Sequence, residues 1–145
     1  MQQANLTPVS TIMTTRIVTI DLDDRMSVAK EIYDNVSFHH LLVLDQGKLT
    51  GILSHRDYLA AVSPRIGTLA EFTRDTETLN TRIHQVMTHR PITVSGSTSI
   101  YDAARVILEN DIGCLPILKE GELVGIITWK DLLSFYQQQL ITENV

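Results

Sequence analysis

With a single cysteine, Cys114, the chain can form neither an intrachain disulfide nor a thiolate zinc site. Basic residues are also scarce: 12 Lys and Arg stand against 17 Asp and Glu, for a net charge of −5, and they never form a run. Nucleic acid and anionic membrane both need a basic footprint, so neither is an expected partner. No apolar stretch approaches the roughly 20 residues that span a bilayer, and no membrane insertion is expected. Met1–Pro8 is polar and uncharged and lacks the apolar core of a signal peptide, which makes the cytoplasm the expected location. There is no Walker loop, no GxGxxG and no nucleophile elbow. The chain is therefore read as a non-enzyme with no catalytic residues. The five histidines suggest metal binding at first sight. However, the adjacent His39 and His40 would point to opposite faces of a strand, and no metal is expected. What remains is an ordinary globular composition, 43% hydrophobic and 20% charged over 145 residues. A fold of that size buries roughly 68–70% of its unfolded surface and needs no staple.

The chain repeats itself. A shift of 74 residues lays Met13–Leu59 on Met87–Leu133 without a gap, and 13 of the 47 positions are identical. The identities include Met13/Met87, Thr14/Thr88, Arg16/Arg90, Gly47/Gly121, Gly51/Gly125 and Asp57/Asp131. Chance would give about three at residue frequencies of roughly 6%. Each copy opens with a short extended segment, Ile17–Ile20 or Ile92–Val94. A helix follows, its apolar residues recurring at helical spacing (Val28, Ile32, Val36; Ile100, Ala103, Ala104, Ile107, Leu108), with Thr98 or Ser99 as N-cap of the second. Two apolar strands around Gly47 or Gly121 read as a hairpin, and a closing helix starts near His55 or Trp129. The expected fold class is α/β (α+β): two β-α-β-β-α repeats packed sheet to sheet with pseudo-twofold symmetry. The boundaries are 1–8 for an N-terminal tail, 9–62 for the first repeat, 63–82 for a connecting loop and helix anchored by Leu69, Phe72 and Leu79, 83–137 for the second repeat, and 138–145 for a C-terminal tail.

Two motifs per copy resemble those of CBS domains, and the pair resembles a Bateman module. The first is Val9-Ser-Thr-Ile-Met13-Thr-Thr-Arg16, matched by Ile83-His-Gln-Val-Met87-Thr-His-Arg90-Pro91. The second is Gly51-Ile-Leu-Ser54-His-Arg-Asp57, matched by Gly125-Ile-Ile-Thr128-Trp-Lys-Asp131. The resemblance covers about Val9 to Gln137. It implies a sensor of adenosine-containing ligands, AMP, ADP or ATP, with S-adenosylmethionine or NAD as further options and no catalytic cofactor. It also implies a homodimer; Leu132, Leu133 and Phe135 on the closing helix suit such an interface, and their helical spacing fits ordinary core equally well. No residues are left for an effector domain, so the expected mode is a stand-alone module acting on a separate regulated protein of unknown identity.

The residues themselves leave two readings open. Ser54-x-x-Asp57 and Thr128-x-x-Asp131 each mark a strand-to-helix turn and each spell a capping box. An ionised Asp also suits the two adjacent hydroxyls of a ribose, with the helix start and the hydroxyl receiving a phosphate. The resemblance favours ribose at both acids. It also implies that the opening segment of one copy faces the phosphate bound at the other. That places Thr15 and Arg16 with Asp131 and Lys130, and His89 and Arg90 with Asp57 and Arg56, the Arg forks suiting phosphate oxygens. Backbone groups of Ile17-Val18 and Ile92-Thr93 would meet the adenine edge. The second copy, with Gly113-Cys114 in place of His39-His40, is expected to hold the better nucleotide site. The rival reading is a structural dimerisation or interaction module whose clefts bind nothing.

Overall fold

The computed structural model describes residues 6–144. Most of the expected 1–8 tail, and Val145, lie outside the described residues. Each repeat supplies a parallel strand, a helix, an antiparallel hairpin and a closing helix. The first contains β1 (Thr19–Asp21), α1 (Met26–Asn35), β2 (His40–Asp45), β3 (Lys48–Ser54) and α2 (His55–Ala61). After α3 (Thr73–Glu77) and β4 (Thr88–His89), the second contains β5 (Val94–Ser95), α4 (Ile100–Asn110), β6 (Cys114–Lys119), β7 (Glu122–Thr128) and α5 (Trp129–Glu143). Sheet orders are β1-β2-β3-β4 and β5-β6-β7.

Local chemistry explains these elements. Both hairpins close on two-residue loops, Gln46-Gly47 and Glu120-Gly121, whose residues all have positive φ (49° and 81°; 51° and 81°). That is the twist of a type I′ turn, which favours Gly at the second place. Each hairpin also carries a bulge at the same position, between Val43 and Leu44 and between Ile117 and Leu118. Ser99 caps α4 by accepting from the Asp102 N–H at 3.0 Å.

The compact units are not the sequence repeats. Among the described residues, those up to Ile17 and those from Ile92 onward form one unit, while Val18–Pro91 forms the other. Each unit is thus the body of one repeat plus the opening segment of its counterpart. In the first unit, Val9 N–H donates to Thr98 O (2.8 Å), Ile100 N–H to Thr7 O (2.8 Å) and Ser10 N–H to Gly96 O (3.1 Å). The second unit repeats the stitches 74 positions away: Ile83 N–H to Asp24 O (2.9 Å), Met26 N–H to Thr81 O (2.8 Å) and His84 N–H to Leu22 O (3.0 Å). Val9 and Ile83 are fully buried. Val9 packs with Ile100, Ala103, Leu115, Ile117 and Ile127, and Ile83 with Met26, Ala29, Leu41, Val43 and Leu53.

Several expectations are corrected. The opening strands start at Thr19 and Val94, leaving Ile17-Val18 and Ile92-Thr93 in irregular backbone. Helix α5 continues to Glu143, through most of the stretch expected as a tail. Leu69 and Phe72 are exposed and do not anchor the connecting segment. A buried carboxylate does that instead: Asp75 accepts from Ser63 Oγ and from Phe72 N–H, both at 2.8 Å. The Phe72 N–H, then the Ser63 hydroxyl, hold Asp75 below the usual carboxylate value. The choice between interface and core that helical spacing left open is also resolved: Leu132 and Phe135 belong to the core of their unit, whereas Leu133 is exposed.

Gly51 and Gly125 are needed where the opening segments cross the hairpins. A Cβ at Gly125 would sit 2.7 Å from Met13 Sδ and 3.1 Å from Thr14 O. At Gly51 it would sit 2.9 Å from Thr88 O and closer still to Met87 Sδ. Each Gly→Ala change should cost about 1–3 kcal/mol as overpacking, read as a lowered urea midpoint. The larger loss is expected at Gly51, where a carbonyl oxygen stands at 2.9 Å and a side-chain rotation cannot clear the way.

Candidate functional site

In each unit, a strand delivers a Ser or Thr to a helix start with an Asp in the first turn. The corner is built the same way twice: His55 N–H donates to His39 O (2.7 Å), and Trp129 N–H donates to Gly113 O (3.2 Å). Ser54 Oγ accepts from Asp57 N–H at 3.0 Å, and Thr128 Oγ1 from Asp131 N–H at 3.3 Å, so both hydroxyls act as helix caps.

The carboxylates then diverge. Asp131 reaches back to complete a capping box, accepting from Thr128 N–H (2.9 Å) and Thr128 Oγ1 (3.1 Å) through Oδ2. It also accepts from Thr14 Oγ1, at 3.3 Å to Oδ1 and 3.4 Å to Oδ2. Among the described residues, Asp57 caps through its N–H alone, and its carboxylate accepts no hydrogen bond.

Each opening segment arrives as an antiparallel neighbour of the strand leading into the helix. In the first unit Thr14 pairs with Ile126, two residues before Thr128. In the second, Thr88 and His89 pair with Ile52 and Gly51, and Arg90 N–H donates to Thr50 O at 3.2 Å. Arg90 has φ 51°, a left-handed conformation uncommon for a side-chain-bearing residue.

The predicted residues therefore share units as follows. Thr15, Arg16, Ile92, Thr93, Thr128, Lys130 and Asp131 belong to one unit; Val18, Ser54, Arg56, Asp57, His89 and Arg90 belong to the other, with Ile17 just across the boundary. Thr15, Arg16, Lys130, Arg56, His89 and Arg90 are exposed. The Val18 carbonyl is taken by Leu42 N–H at 3.1 Å. Thr14 was not singled out for the site, although its identity with Thr88 in the repeat alignment marked the position.

The strand opposite each cap also differs. His40 pairs with Ser54, and Cys114 with Thr128. Cys114 is buried, and burial pushes its thiol up to about 12, making it inert. His40 is half-buried, while its neighbour His39 lies 6.5 Å from His55 in a ring cluster where Tyr33 is 4.7 Å from His55 and 5.1 Å from Tyr58. Burial first, then neighbouring His39, lowers the His40 pKa against the pull of Asp57. Among the described residues no cluster of His, Cys, Asp or Glu could hold a metal ion, and no helix is long and apolar enough to cross a membrane.

Residues 9–64 and 83–138 each match the CBS domain. The chain belongs to the CBS-domain family. A CBS domain-containing protein of Dictyostelium discoideum is 33% identical over 129 residues, spanning 87% of this chain and 88% of that protein. The Methanocaldococcus jannaschii protein MJ1225 is 29% identical over 107 residues, which is 68% of this chain but 36% of that protein. Its crystal structure gives a TM-score of 0.75 at 26% identity, over 91% of this chain and 48% of that one. The structure of CBSX2 in complex with AMP gives a TM-score of 0.73 at 27% identity, over 90% of this chain and 96% of that one. The family resemblance and the α+β fold class expected from the sequence both hold.

The depressed His40 makes the first CBS repeat pH-sensitive. A histidine that binds protons less readily folded than unfolded stabilises the fold above its ordinary value of 6.5, and that contribution is lost as pH falls through the folded pKa. Urea unfolding between about pH 7 and pH 5 should show a smaller acid-side loss of stability in His40→Asn than in the parent chain. Identical pH profiles would remove His40 as the cause.

Proposed function

We propose that this CBS pair is a regulatory sensor of adenosine nucleotides, with one site in each unit, acting on a separate protein partner. The observation that carries the reading is the Thr14 hydroxyl, 3.3 Å from Asp131: the opening segment of one repeat stands at the acidic helix start of the other. In this reading, Asp131 and Asp57 accept the 2′- and 3′-hydroxyls of ribose, a pairing open to an ionised carboxylate and closed to most neutral groups. Thr128 and Ser54, with the backbone N–H groups around them, lie where a first phosphate would sit. Arg16 and Lys130 supply positive charge on one side, and Arg90 and Arg56 on the other, where His89 also stands. Backbone of Ile92-Thr93, and of Val18, would meet the adenine edge. The AMP complex of CBSX2 supports the ligand class.

A ligand bound to the folded chain alone stabilises it by about 2.7 kcal/mol at 100 times its Kd. A differential affinity of that size between two conformations moves a balanced equilibrium and gives occupancy a readout in a partner.

The rival reading, a dimerisation or interaction module without a ligand, draws on the equivalent residues Leu59 and Leu133, 57% and 61% exposed on α2 and α5. Each of these leucines, within its own unit, suits a contact with a second copy under either reading. A thermal-shift panel of AMP, ADP, ATP, S-adenosylmethionine and NADH separates the two. The sensor requires a Tm rise of several degrees with at least one ligand, reduced in Asp57→Ala or Asp131→Ala. A flat response from folded protein favours the dimerisation module.

A further inference from the structure

The two acids, identical in sequence, differ in how much of their hydrogen-bonding capacity is already used. An ionised carboxylate offers about four acceptor positions. At Asp131, three hydrogens occupy them: Thr128 N–H at 2.9 Å, Thr128 Oγ1–H at 3.1 Å and Thr14 Oγ1–H at 3.3 Å. One position remains, and the cis-diol of a ribose brings two hydroxyls. One of the three present donors must leave. The two from Thr128 are tied to Asp131 within a single helical turn. The Thr14 hydroxyl makes the longest contact and comes from a segment 117 residues away in sequence.

Removing that hydroxyl requires only a rotation about Thr14 χ1. Its backbone stays in place, because Thr14 N–H donates to Ile126 O at 2.8 Å and Ile126 N–H returns to Thr14 O at 2.9 Å. At Asp57 nothing needs to leave, since among the described residues its carboxylate accepts no hydrogen bond.

We infer that Thr14 gates the Asp131 site: its hydroxyl holds the carboxylate in a self-capped state that a ribose diol must displace, so the Asp57 site fills first. The inference rests on the adenosine reading above and reverses the expectation that the second repeat holds the better site. It also sets ligand selectivity. A 2′-deoxyribose brings a single hydroxyl, which fits the one vacant acceptor position without displacing Thr14. The gated site therefore discriminates poorly between AMP and 2′-deoxy-AMP, whereas the open site prefers AMP.

Calorimetric titration of the full chain in an Asp57→Asn background isolates the gated site. Thr14→Val keeps the branched side chain and the strand pairing but removes the hydroxyl. It should tighten AMP about tenfold, the scale of one hydrogen bond to a charged group. It should also widen the AMP to 2′-deoxy-AMP affinity ratio, and Thr14→Ser should behave as the parent. AMP affinity and ratio unchanged in a folded Thr14→Val chain would overturn the gate and leave the adenosine reading standing. If AMP bound neither site, in the parent or in Thr14→Val, the adenosine reading would fall and the gate with it. A ligand-free measurement stands beside these: Thr14→Val and Asp131→Asn should be non-additive in thermal unfolding. Additive losses would show that the hydroxyl and carboxylate do not interact and would overturn the gate.

Discussion

The architecture depends on two apolar side chains, Val9 and Ile83, each buried in the body of the other repeat. A repeat of about 50 residues buries too little surface to stand comfortably alone. Donating its opening segment costs each copy a piece of its own core, and receiving the counterpart's segment restores it. The glycines at 51 and 125 follow from the same constraint, because a methionine and a strand must lie flat on the hairpin there. So does the placement of Thr14 and Thr88 beside strands that end at acidic helix starts.

Duplication fixes the backbone of both sites but not their chemistry. The same corner, with the same cap and the same acid, carries a buried inert thiol in one copy and a half-buried imidazole in the other. The same Asp is largely taken up by its own cap and a threonine in one unit, whereas in the other, among the described residues, its carboxylate accepts no hydrogen bond. Ser54 against Thr128 is the smallest of these changes, yet Thr128 and Asp131 form a reciprocal box whereas Ser54 and Asp57 share a single bond. Two pseudo-equivalent corners thus differ in their hydrogen bonding and in their titratable neighbours without any change in fold.

Much of the fold was legible in the sequence, because alternation, turn chemistry and capping are local. Gly47 and Gly121 announced their hairpins, and the Thr98-Ser99 pair its helix, with the cap falling to Ser99. The strand starts were misplaced because Ile17-Val18 and Ile92-Thr93 are apolar and extended yet precede the ladder, and hydrophobicity cannot see where pairing begins. Leu69 and Phe72 looked like anchors for the same reason, whereas the connecting segment is held by the carboxylate of Asp75, whose partners are a distant serine and a backbone N–H. At the site, residue types and positions could be read from the repeat and the family resemblance. The state of each carboxylate could not, since it depends on a contact between Thr14 and Asp131 that no local pattern encodes.

One unit is continuous along the chain and the other is not. During synthesis, Val18–Pro91 can close as soon as Met87 emerges, with every partner of its core already made. The discontinuous unit must wait: Val9 has no core to enter until Ile100, Leu115, Ile117 and Ile127 have followed. Long-range closure of this kind is slow relative to local folding. The growing chain therefore carries a completed half and a bare apolar N-terminal segment for much of its time on the ribosome, the interval in which a chaperone has most to protect.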